Sequence, residues 1–202
     1  MMRSKNHSLL TGAIISFFQR IIIFAFICLL SLGGCSKYSD EVQANLTKLK
    51  KTKSCSGCDL RGIELISFDL KNADLSGANL TGANLRRSDF TEANLTDTNL
   101  TDADLLGVNL TGATLTNTNL TGVKLSYANI NGTEISGVIL KGAHMNSSKV
   151  VNSTIRNSDM TNANLYNADL TETKVSKETL KNAVLCKTIM PSGQQDDSGC
   201  KR

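Results

Sequence analysis

From Leu60 to Met190 an apolar residue occupies every fifth position: Leu60, Leu65, Leu70 and onward through Leu180 and Leu185, 27 consecutive hits without a slip. Two residues before most of them stands a small or mid-sized residue, most often alanine, as at Ala73, Ala78, Ala83 and Ala93. Asn or Asp commonly lies between them, and Thr or Ser followed by Gly, Asn or Asp commonly comes after. A period of five suits no regular element. On an α-helix each step of five rotates the apolar residue by about 140°, scattering it around the axis. On a straight strand odd spacing throws successive residues onto opposite faces. The pattern becomes coherent if the chain turns once per repeat. A three-residue extended piece then points positions i−2 and i inward, and the next two residues, of turn-forming types, make a corner. Repeated corners give a coil, and stacked coils satisfy each other's backbone at a strand spacing of ~4.8 Å. Composition agrees: there is no Trp, one Pro and only 4% aromatic residues, so small aliphatic side chains must fill the core.

The period alone leaves the number of sides per coil open. The segment Ala78-Asn79-Leu80-Thr81-Gly82, continued by Ala83-Asn84-Leu85 and echoed at Ala163-Asn164-Leu165, resembles the pentapeptide-repeat family, and the likeness runs from Cys58 to Met190. That resemblance implies an all-β fold, a right-handed quadrilateral β-helix with four repeats per coil. The 27 repeats would then make just under seven coils, a stack about 30 Å long. Residues 20 apart would stack. Asn79, Asn99 and Asn119 would form an outward ladder, and Thr98 and Thr118 would face inward with hydroxyls that need partners.

Residues 1–34 have the pattern of a secretory signal. Arg3, Lys5 and Arg20 precede or abut the apolar run 21–30, and no acidic residue lies before Cys35. That run is short for a membrane span of ~20 residues, although an uncleaved anchor is the competing reading. Leu32-Gly33-Gly34-Cys35 resembles a bacterial lipobox, which would make Cys35 the lipidated first residue of the exported protein. Ser36 after it fits the Gram-negative pattern for the outer membrane, with the body facing the periplasm. Residues 35–54 would be a tether with a short N-terminal capping helix. Val42, Leu46 and Leu49 form one apolar stripe, Ser39 or Asp40 could cap its start, and Lys48, Lys50, Lys51 and Lys53 cluster at its end. This helix could cover the first coil, or it could set a basic face on lipid headgroups.

Besides Cys35 and Cys28, which lies within the leader, there are four cysteines, Cys55, Cys58, Cys186 and Cys200, and four allow three pairings. On a solenoid of the length the resemblance implies, the first two and the last two lie at opposite ends, far beyond the ~7 Å that a disulfide tolerates between Cα atoms. The expectation is therefore Cys55–Cys58 and Cys186–Cys200, stapling the end coils of repeats 55–190 and closing a C-terminal tail at 191–202. Cys55-Ser56-Gly57-Cys58 also has the spacing of a redox or metal motif. It lacks the second cysteine pair or histidine that zinc needs, and the activating helix terminus or base that a reactive thiol needs.

No catalytic constellation is apparent. His144, the one histidine after Cys35, stands where Asn or Asp is usual, at an outward position. The chain is therefore expected not to be an enzyme, with no cofactor and no metal. Net charge is +4, and without the three basic residues of the leader it is +1, so no nucleic-acid footprint is present. Charge varies along the chain. Residues 59–110 hold nine acids and four bases, and residues 111–190 five acids and eight bases. The stretch holding Ile139, His144, Lys149 and Val151 departs most from the repeat and is the candidate partner face. The expected role is a structural or protein-interaction module at the bacterial envelope, held by its lipid and meeting an unidentified protein. The alternative that the resemblance carries is DNA mimicry toward gyrase with quinolone resistance. The near-neutral solenoid and the export signal argue against that alternative.

Overall fold

The computed structural model describes residues Lys37–Cys200. The signal segment and Cys35 lie outside the described residues. The compact body begins at Asp40, and Lys37–Ser39 belong to a separate N-terminal unit. No helix among the described residues is long and apolar enough to cross a membrane.

The body opens with α1 (Asp40–Thr52). Its first turn holds Asp40 and Glu41 and its last turn Lys50 and Lys51, each sign at the end where the helix dipole favours it. The stripe Val42, Leu46 and Leu49 is buried. Asn45 Nδ2 donates to the Asp59 carbonyl at 3.1 Å, which ties α1 to the first coil.

From Ser54 the chain becomes a stack of coils. The outward residue of each repeat pairs in parallel with the residue 20 further on: Ser54 with Asp74, Asp59 with Asn79, Glu64 with Asn84, and Asp69 with Asp89. Four such pairings per 20-residue circuit make the coil four-sided. Pairing is nearly always a single rung per side. Among the described residues it lengthens into parallel strands only at β1 (Glu134–Ser136) and β2 (Thr154–Arg156), with Ile135 opposite Ile155.

Each corner is built by the repeat itself. At one of them, Ala78 N donates to the Leu75 carbonyl at 3.0 Å and closes the turn. The second corner residue takes a left-handed φ, as at Gly82 (+65°) and Asp102 (+56°), which explains the preference for Gly, Asn and Asp there. Where an Asn or Asp precedes the central residue, it organises the corner after it. Asn79 Oδ1 accepts from the Thr81 backbone N–H at 3.1 Å and from the Thr81 hydroxyl at 2.7 Å.

The interior is a continuous column. Leu60, Leu70, Leu80, Leu85, Leu95 and Leu100 are fully buried, with Phe90 the largest side chain among them. Most inward hydroxyls find carbonyls one coil back. Thr98 Oγ1 donates to Leu75 O and Thr118 Oγ1 to Leu95 O, each at 2.8 Å, and Ser153 Oγ donates to Ile130 O at 2.7 Å. No buried side-chain nitrogen or oxygen among the described residues is left without a partner.

One side breaks the pattern. Residue 178, an inward position by register, is Glu, and a glutamate cannot be buried unpaired among leucines. The chain instead forms α2 (Lys177–Leu180), capped by Ser176 Oγ, which accepts from Thr179 N at 3.1 Å. The helical turn carries Glu178 to the surface and keeps Leu180 buried. Beyond it β3 (Thr188–Ile189) pairs antiparallel with β4 (Gln195–Asp196), folding the tail back on the last coil. Disulfides join Cys55 to Cys58 and Cys186 to Cys200, with Cα atoms 5.3 and 4.7 Å apart.

Candidate functional site

A four-sided coil displays one outward residue per side and two per corner. The coil distributes the candidate partner face of the sequence over successive sides. Ile139, His144 and Lys149 stand on three successive sides, stacked respectively on Asn119, Lys124 and Asn129, and Val151 lies at the corner beyond. A stretch of 13 residues travels more than half of a 20-residue circuit, so these four residues face different directions on the coil.

Most surface acids are engaged in building corners or in ion pairs. Asp74 accepts from the Ser76 hydroxyl and backbone N–H, and these bonds hold its carboxyl below the usual range. Asp159 is held low chiefly by Thr161. Lys53 pairs with Asp69 at 2.9 Å and Lys71 with Asp89 at 3.2 Å, both in solvent. The one trio among the described residues with metal-ligand proximity is Cys186, Asp197 and Cys200, and its two sulfurs are joined to each other. The last coil leaves Val175, Leu185 and Met190 only partly covered, around an open hollow of about 470 Å³ that also touches Leu180 and Pro191.

The corners differ. Three carry mainly the repeat's small polar residues interspersed with charged ones, for instance Thr81-Gly82, Thr101-Asp102, Thr121-Gly122 and Lys141-Gly142 up one of them. The fourth carries, coil by coil, Ile66-Ser67, Arg86-Arg87, Leu106-Gly107, Ser126-Tyr127, Asn146-Ser147, Tyr166-Asn167 and Cys186-Lys187. It holds no threonine and no acid. Ile66, Tyr127 and Tyr166 on it are three of the five large apolar residues exposed on the described chain, and Val184 flanks it. Reading the chain in steps of five hides this edge, because its members are 20 residues apart. Sorting the corner pairs by 20 would have revealed it.

A family model described as pentapeptide repeats matches residues 54–91, 69–107, 103–142 and 139–176. The chain is a member of the pentapeptide-repeat family. Membership makes the four-sided coil a right-handed β-helix. Among solved structures, a pentapeptide repeat protein (Rfr23) from the cyanobacterium Cyanothece 51142 is 30% identical over 57% of this chain and 97% of that one, with a TM-score of 0.35. HetL, a pentapeptide repeat protein involved in heterocyst differentiation regulation from the cyanobacterium Nostoc sp. strain PCC 7120, is 22% identical over 78% and 99%, with a TM-score of 0.19. QnrB1, a plasmid-mediated fluoroquinolone resistance protein, is 17% identical over 67% and 84%, with a TM-score of 0.46. No curated protein matches the chain.

Proposed function

We propose that this pentapeptide-repeat protein is exported, lipidated at Cys35 and held at the bacterial outer membrane, where its solenoid serves as a non-enzymatic interaction module facing the periplasm. The observation that carries this reading is Leu32-Gly33-Gly34-Cys35 set directly after a basic and then apolar leader. The body supports the binding half of the proposal. It is a stack whose buried side-chain polar groups are satisfied among the described residues, and α1 is hydrogen-bonded to its first coil. Two disulfides suit an oxidising compartment.

Palmitate labelling with and without globomycin tests the anchor. Label should enter the wild-type chain, and Cys35→Ala should abolish it and release the protein from the membrane fraction. A Cys35→Ala protein that still takes up palmitate and fractionates with membranes overturns the reading. The gyrase alternative has its own readout. The solenoid carries 14 acids against 12 bases over residues 59–190, too balanced to imitate a duplex. Purified protein should leave supercoiling by gyrase untouched.

A further inference from the structure

The fourth corner departs from the repeat on more coils than any of the other three, and it alone carries exposed aromatic rings, at Tyr127 and Tyr166. Arg86, Arg87 and Lys187 supply positive charge with no acid among the corner residues. Arg86 pairs with Asp104 on the neighbouring side at 3.5 Å, the arginine about half exposed. Tyr127 is 67% exposed and occupies the left-handed corner position (φ +60°), which the other corners give to Gly, Asn, Asp or similar polar residues. Tyr166 lies about two coils further on, ~10 Å along the axis, with the Lys187 ammonium 5.7 Å from its ring centre. A hollow of about 380 Å³ opens beside it against Asn146, Val184 and the Cys186–Cys200 disulfide. Ser67, Ser126, Asn146, Ser147 and Asn167 add short hydrogen-bonding groups between the rings and the cations.

The backbone N–H groups of the left-handed residues on this corner are already engaged. Arg87 N donates to Leu106 O, Tyr127 N to Asn146 O, Ser147 N to Tyr166 O and Asn167 N to Cys186 O, all at 2.8–3.0 Å. That leaves no alternating ladder of main-chain donors and acceptors for a peptide to join by strand addition. Recognition must come from side chains arrayed in a line: flat rings, amides, hydroxyls and cations. We propose that this corner, from Ile66 to Lys187, binds a linear anionic polysaccharide, whose sugar rings stack on Tyr127 and Tyr166 while its carboxylates meet Arg86, Arg87 and Lys187. The inference deepens the interaction-module reading above, and it does not depend on the lipid at Cys35.

Affinity electrophoresis of the full-length chain in mild detergent, through gels containing polygalacturonate, tests it. The wild-type chain should be retarded, and neutral hydroxyethylcellulose should not retard it. The double substitution Tyr127→Ala, Tyr166→Ala should weaken retardation about tenfold with an unchanged circular-dichroism melt. Arg87→Gln should weaken it too, and Lys141→Gln on another corner should leave it intact. Absence of retardation overturns the proposal. So does retardation that the tyrosine pair does not affect, or that Lys141→Gln reduces equally, since either would be diffuse charge attraction. Poly-glutamate competing as well as polygalacturonate would make the partner an acidic peptide instead. The palmitate experiment reads only Cys35, so failure of either test leaves the other standing.

Discussion

At the residue scale each position of the repeat has one physical task, and each task predicts its own cost when removed. Leu100 sits in the fully buried column between coils, so Leu100→Ala leaves a void that its neighbours cannot close. The expected loss is ~2–5 kcal/mol in urea unfolding. Thr118 is different. Its hydroxyl bonds the Leu95 carbonyl, which also accepts from Thr98 N at 3.1 Å. Thr118→Val therefore removes one of two bonds at a carbonyl that stays satisfied, and should cost only about 1 kcal/mol. The acids at corners set the pH response. Asp74 and Asp159 are held below their usual range by Ser76 and Thr161 in the folded state, so the unfolded chain takes up protons first as pH falls. Their contribution is complete above the unfolded value of about 4 and is lost as pH drops through the lower folded values. The melting temperature should be flat from neutral pH to about 5 and fall below about 4. Asp159→Asn keeps the acceptor and should blunt that fall.

At the scale of elements the two ends are the informative places. The apolar stripe of α1 was legible in residues 40–52, because a period of 3.6 differs plainly from the period of five that follows. The helical turn α2 was not. The five-residue register runs through Val175 and Leu180 without a slip, and only the impossibility of pointing Glu178 inward forces the change. The Cys186–Cys200 bridge spans 14 residues and ties the folded-back tail to the last coil. Its removal should cost about 3 kcal/mol, the figure for a loop near 15 residues. Cys186→Ser, Cys200→Ser measured against wild type in urea checks this. Loss of the short Cys55–Cys58 ring should matter less.

At the scale of the whole molecule, a solenoid is a one-dimensional chain of neighbours, so its stability should be highest where each coil has two of them. Amide exchange should be slowest around Leu95–Leu120 and fastest beyond Lys181, where Leu185 and Met190 are half covered. Uniform protection from end to end would show that the disulfides and α1 make the ends as stable as the middle. The uneven charge along the sequence becomes, on the stack, an acidic first half and a basic second half.

By itself, the sequence determined that the chain coils, because an unbroken period of five admits no straight element. It also determined that small aliphatic residues fill the coil and that Asn, Thr and Gly turn the corners. How residues gather on the surface was decided only by the tertiary structure. Twenty residues separate neighbours up the stack, so Ile139, His144, Lys149 and Val151, close in sequence, point in different directions. For the same reason Arg87, Tyr127, Tyr166 and Lys187, distant in sequence, line one edge.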